Sequence, residues 1–149
     1  MIYFLAADVM VPLRNRIRVR QWLTAEAERA GYSIISLNYI YCSDDFLLQM
    51  NRDYLKHDYY TDIITFPISE GVGVVEGECY VSVDRIRENA KELGTNFADE
   101  LHRVMIHGLL HLMGQGDKSE EEAIAMRIRE NEALTRRTFH VEHSKTKKN

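Results

Sequence analysis

The apolar positions fall into short β-like runs and longer stretches at helical spacing, predicting the order strand, helix, strand, helix, two strands and three helices. Ile2 to Ala6 reads as a short strand. Pro12 suits the first turn of a helix, where its missing donor costs nothing. Val19, Trp22, Leu23, Ala27 and Ala30 make the apolar stripe of that helix, which Gly31 ends. Ser33 to Tyr41 follows as a second strand. A second helix opens at Ser43, with Asp44 and Asp45 complementing its positive end, and turns Leu47, Met50 and Tyr54 inward.

After a polar loop through His57 and Asp58, Asp62 to Phe66 and Glu78 to Ser82 are β-rich runs joined by a glycine-punctuated connection, the pattern of a hairpin. Ile86, Ala90 and Leu93 repeat at helical spacing before Gly94, and a further helix runs from Phe97 to Met113. Ser119 with Glu122 forms a capping-box pattern that opens a last helix, on which Ile124 and Ile128 share a face. The expected fold class is α+β, a small mixed β-sheet with helices packed on it. No internal repeat or Pro/Gly/Ser-rich linker divides the 149 residues. The expected organisation is one catalytic domain over residues 1–138 and a basic, flexible tail over 139–149.

With 45% hydrophobic and 28% charged residues, the composition is that of a globular protein rather than a disordered chain. The apolar run from Ile2 to Ala7 falls far short of a membrane span and follows no basic segment, so a cytoplasmic protein without a membrane partner is expected. A net charge of −4 argues against coating nucleic acid by bulk electrostatics. Two local basic stretches stand out, one at Arg14, Arg16, Arg18 and Arg20, the other over 136–149; they read as a solvated helix face and a frayed terminus. Cys42 and Cys79 lack C-x-x-C spacing and are expected to be buried free thiols.

The chemistry concentrates between His107 and Asp117. From Val104 to Met113 every residue except His107 and His111 is apolar or glycine, so the helix is expected to be buried nearly all round and both imidazoles need partners. Residues i and i+4 share a helix face, so both rings can reach one metal ion. Gly114 can turn the chain back so that Asp117 adds an oxygen from outside the helix. Two nitrogens and one oxygen leave a fourth position for water, which marks a catalytic rather than a structural zinc. The spacing follows the metzincin ligand frame, with Asp117 as last ligand. Gly108, however, stands where those proteases carry their water-activating glutamate.

The stretch from His107 to Gly114 followed by Asp117 resembles the YbeY family of single-domain, metal-dependent endoribonucleases, which act in ribosomal RNA maturation and ribosome quality control. A second block, Asn51 to Pro67, is similar to the family's N-x-x-Y-R-x-x-D-x-P-T-(N/D)-V-L-S-F-P segment, and Gly77-Glu78 resembles its Gly-Asp before a strand. Two departures stand out. Asp117 replaces the family's usual histidine, and Leu55 occupies the place of an arginine that contacts RNA phosphate.

The resemblance implies an endoribonuclease acting on single-stranded RNA. It would have one Zn2+ on His107, His111 and Asp117 with an open coordination position, and no nucleotide cofactor. Ribosomal or precursor ribosomal RNA, and the small ribosomal subunit, are the implied partners. Arg85, Arg87, Lys56 and Arg52 are the basic groups considered for the phosphate, and Thr61 and Asp62 are candidates for shaping the cleft. Two other readings stay open at this level: a metalloprotease-like hydrolase drawing its base from Glu100 or Glu78, and a non-enzymatic ribosome-assembly factor with a structural metal.

Overall fold

A computed structural model describes residues 1–69 and 71–139; most of the expected basic tail, 140–149, lies outside the described residues. The chain forms β1 (Ile2–Ala6), α1 (Arg16–Arg29), β2 (Ser33–Cys42), α2 (Asp44–Leu55), β3 (Ile63–Ser69), β4 (Val74–Ser82), α3 (Val83–Leu93), α4 (Phe97–Leu112) and α5 (Glu120–Thr135). The four strands make one mixed sheet in the order β1-β2-β4-β3. β1 and β2 are parallel through the α1 crossover, β2 and β4 are parallel, and β3 runs antiparallel to β4 as the second arm of the expected hairpin.

Alternation along β2 and β4 separates two cores. Leu37, Tyr39 and Tyr41 with Val75, Cys79 and Val81 meet Val19 and Leu23 of α1 and Met105, Ile106 and Leu109 of α4 in the main core. On the opposite side Cys42, Leu47 and Ile64 form a smaller cluster beneath α2. The buried polar tips are satisfied: the Tyr39 hydroxyl donates to the Met105 carbonyl at 2.8 Å and Trp22 Nε1 to the Ala133 carbonyl at 2.9 Å. Cys42 and Cys79 are buried free thiols.

Three expectations need correction. α1 starts at Arg16 rather than near Pro12, because Asn15 at φ 56° breaks the helical path between them. On α2, Tyr54 is 68% exposed while Leu47, Leu48 and Asn51 are buried. On α5, Ile124 and Ile128 share a face as expected, and it is the solvent face; Met126, Glu130 and Ala133 form the buried side. The terminal arginines are not frayed either. Arg136 makes a two-pronged ion pair with the buried Glu26, at 2.8 and 2.7 Å, and Arg137 contacts Asp99 and His102. Among the described residues no helix is long and apolar enough to cross a membrane.

Candidate metal and catalytic site

α4 is positioned by a close approach to the sheet. A Cβ on Gly108 would lie 2.7 Å from Ile63 Cδ1 and 2.9 Å from Cys79 Sγ, so a larger residue there requires these side chains or the helix to shift, and glycine seats α4 closely against β3 and β4. The contact also explains the missing protease glutamate, since a side chain at 108 would point into the sheet. At the helix end, Gly114 takes φ 97° and the Gln115 amide returns to the Leu110 carbonyl at 3.0 Å, reversing the chain toward Asp117. Glu122 packs over Gly116, where a Cβ would sit 2.7 Å from its carboxylate, and accepts the backbone amides of Lys118 and Ser119 at 3.3 Å. The predicted capping box is present, so the 114–119 turn and α5 are built as one unit.

The two imidazoles are held at the same ring atom by different acceptors. His107 Nδ1 lies 2.7 Å from Glu130 Oε2, and His111 Nδ1 lies 3.2 Å from the Gln115 carbonyl oxygen. A carbonyl only accepts, and the carboxylate is ionised, so both Nδ1 atoms carry the proton, and in the neutral rings both Nε2 atoms present lone pairs. His107 Nε2 lies 3.4 Å from Asp117 Oδ2. Glu130 is buried, and its other oxygen receives Arg103 Nη1 at 3.1 Å, with Arg127 Nη1 at 3.7 Å.

His107 and Asp117 open on one cavity of about 250 Å³, whose wall also holds Asp62, Glu100, Arg103 and Glu130. His111, exposed and one turn on, opens instead on a neighbouring cavity of about 290 Å³ beside Thr65 and Pro67. The structure thus pairs His107 with Asp117 but leaves His111 outside that pair. Among the described residues no three His, Cys, Asp or Glu side chains converge on one point. The donor chemistry nevertheless suits a borderline-soft divalent cation: two imidazole lone pairs fixed in the right tautomer and one carboxylate.

Charges around the cavity perturb one another. Burial works against the His107 cation, yet the hydrogen bond and charge of Glu130, with Asp62 and Asp117, outweigh it and raise the imidazole above its ordinary value. Burial likewise opposes Glu130, but His107 and Arg103 hold its carboxyl below the usual range. Asp62 is pushed up by burial despite the nearby His107, and Glu100 by burial against the pull of Arg103. Glu100 Oε1 is buried without a hydrogen-bond partner.

Sequence reasoning placed the phosphate-binding charges elsewhere. Arg85 is engaged by Asp44 at 2.7 Å, Arg87 lies over the Phe97 ring, Arg52 pairs with Asp58 and Lys56 caps α2 with φ 59°; none of them lines the cavity. The cations on its wall are Arg103 and Arg127, and the residue orienting His107 is Glu130, none of which the sequence had marked. Asp62 does line the cleft, as does Glu100, whereas Glu78 lies on the opposite sheet face, in a register where its neighbours Gly77 and Cys79 face α4.

Comparison with known proteins identifies the family. A family model described as Endoribonuclease YbeY matches residues 8–138. The chain is 51% identical over 138 residues to the Endoribonuclease YbeY of Cytophaga hutchinsonii, covering 93% of this chain and 96% of the relative. Its counterpart in Parabacteroides distasonis is 44% identical over 133 residues, covering 89% and 93%. The solution structure of TM1509 from Thermotoga maritima superposes with a TM-score of 0.63 at 27% identity, covering 90% of this chain and 87% of that one. The chain belongs to the YbeY endoribonuclease family.

Proposed function

We propose that this protein hydrolyses phosphodiester bonds in single-stranded RNA with one Zn2+ held by His107, His111 and Asp117, and that it serves ribosomal RNA maturation and ribosome quality control in the cytoplasm. Precursor ribosomal RNA and the small ribosomal subunit are its partners in this reading. The observation that carries it is the His107 ring, clamped at Nδ1 by Glu130 so that Nε2 faces the Asp117 carboxylate on a cavity wall.

The bound cation supplies Lewis acidity toward water and a phosphoryl oxygen. The chain's residues do the rest. Glu130 and the Gln115 carbonyl hold the two rings, and Gly114 with the capped α5 holds Asp117 at the cavity mouth. Burial raises the pKa of both Asp62 and Glu100, and Arg103 and Arg127 on the same wall supply the positive charge that an anionic substrate needs. Gly108 leaves no room for the carboxylate that peptide hydrolysis uses at that position, which favours phosphodiester over peptide chemistry.

The test uses protein purified without an affinity tag, its metal content measured, on precursor ribosomal RNA and an unstructured oligoribonucleotide, with and without chelator. Cleavage that stops with chelator, returns with Zn2+ and disappears in His111→Ala and Asp117→Ala while their folds persist supports the proposal. Cleavage at the wild-type rate by either variant, or in excess chelator, refutes it.

A further inference from the structure

The His107 cavity does not end at Glu100. A second cavity of about 310 Å³ lies alongside it, and the two share Glu100, Arg103 and Arg127 as a common wall. Together they form a groove between α4 and α5 that runs from Asp117 past Arg127 toward Thr95 and Leu93. Its far part is lined by Arg103, Arg127 and Arg137 against Asp99 and Glu100, and so carries more positive charge than the catalytic end.

The three arginines differ in what they are free to do. Arg137 has only 13% of its side chain exposed, bonded to Asp99 at 3.0 Å and His102 at 2.7 Å. Arg103 is 22% exposed and holds Glu130 at 3.1 Å, so moving it would release the group that orients His107. Arg127 is 56% exposed, and its contact with Glu130, one turn on in the same helix, is long at 3.7 Å. A long, half-exposed pair of this kind holds the side chain weakly. Nearby Arg129 is occupied by the Gln115 side chain at 3.0 Å.

We infer that Arg127 is a substrate-contacting residue that binds a backbone phosphate of the RNA where the two cavities meet, so that the strand leaves the His107–Asp117 site along the α4–α5 groove. The inference rests on the proposed RNA cleavage for its meaning. A planar guanidinium at the rim can grip two phosphate oxygens at once, and leaving Glu130 costs it little because Arg103 keeps that carboxylate neutralised. His111 lines neither of these two cavities.

The test measures affinity of a fluorescent oligoribonucleotide over a range of salt concentrations for the wild type, Arg127→Ala, Arg127→Lys and Arg87→Ala, whose guanidinium lies outside the groove. Zn2+-loaded protein is used with a non-cleavable 2′-O-methyl oligonucleotide for binding and a cleavable one for turnover. Arg127→Ala is expected to weaken binding roughly tenfold. The same variant should lower the slope of log affinity against log salt by about 0.7, one single-strand phosphate. Arg127→Lys should restore the slope but only part of the affinity, KM should change more than kcat, and Arg87→Ala should behave as wild type. An Arg127→Ala variant with wild-type slope and affinity overturns the inference, as does an equal effect of Arg87→Ala. Wild-type protein that binds RNA through Arg127 without cutting it would refute the proposed activity while leaving this contact standing.

Discussion

Replacing Glu130 by glutamine tests the site most directly, because it keeps the volume of a buried side chain and changes only what its two oxygens can do. In the wild type Oε2 takes the proton side of His107 Nδ1 at 2.7 Å and Oε1 takes Arg103 at 3.1 Å. A glutamine offers one acceptor, and the Arg103 guanidinium, which can only donate, claims it. The amide nitrogen then faces His107 Nδ1 as a donor, the ring proton moves to Nε2, and the lone pair opposite Asp117 is lost. Losing such a partner of a ligating histidine weakens metal binding by about 10 to 100-fold, which corresponds to about 1.4 to 2.8 kcal/mol. Removal of the charge-assisted bonds should lower folding stability by about 1 to 3 kcal/mol. Alanine is a poorer probe, since it strands Arg103 and His107 together and costs about 3 to 5 kcal/mol. Zn2+ affinity by competition with a chromophoric chelator reads the first effect, and long-range 15N correlation spectra of the His107 ring read the tautomer. If Glu130→Gln retains wild-type affinity and an unprotonated Nε2, the argument that Glu130 sets the working face of His107 is wrong.

Other expected outcomes follow from the same geometry. Gly108→Ala places a methyl 2.7 Å from Ile63 Cδ1 and 2.9 Å from Cys79 Sγ, so overpacking of about 1 to 3 kcal/mol should exceed the helix-propensity gain of up to about 1 kcal/mol. A raised denaturation midpoint would show the helix is not seated on the sheet. Burial, with Arg137 beside it, lowers His102 from 6.5 to about 4, so the folded state stays unprotonated there while the unfolded chain takes up a proton. Stability should therefore fall by up to about 3 kcal/mol as pH drops from 6.5 to about 4, and His102→Asn should flatten that part of the pH–stability curve. His107 has the opposite sign in the metal-free protein: its raised value adds stability below pH 6.5 that is lost as pH rises through the folded value, and Zn2+ uptake should improve over that same rise, as followed by calorimetry across pH. Ser119→Ala removes the reciprocal cap on α5 and should cost about 1 kcal/mol in chemical denaturation, with no loss leaving the capping box without energetic weight.

Local signals carried most of the fold. β1 has the bounds its apolar run predicts, Ser43 caps α2, Gly94 ends α3 in the left-handed region, and Ser119 with Glu122 closes the box at α5. The three helix-end features have partners within four or five residues, and β1 shows as an unbroken apolar run. The errors arise where a distant contact decides. On α5 the sequence shows that Ile124 and Ile128 share a face but not that it is the outer one, and the helix turns Met126, Glu130 and Ala133 inside because Glu130 finds His107 and Arg103 on α4. The spacing of those three was visible, but a carboxylate in the middle reads as solvent-facing until its partners are known. The same holds for Arg136, whose role depends on Glu26, 110 positions away. At the site, the His-Gly-Leu-Leu-His stretch was legible because its spacing is helical, whereas the cations on the cavity wall were not, since charge along the chain says nothing about which side of a helix meets a cleft.

The seating of α4 on bare backbone at Gly108 has an architectural consequence. It lets His107 stand close above the sheet, so the depth of the cleft depends on a contact that takes no part in the chemistry. Converting this scaffold to another hydrolytic trade by planting an acid in its motif would therefore drive that side chain into Ile63 and Cys79 of the sheet rather than toward the cleft. Reactivity here is conserved by clearance, and an absent side chain guards it.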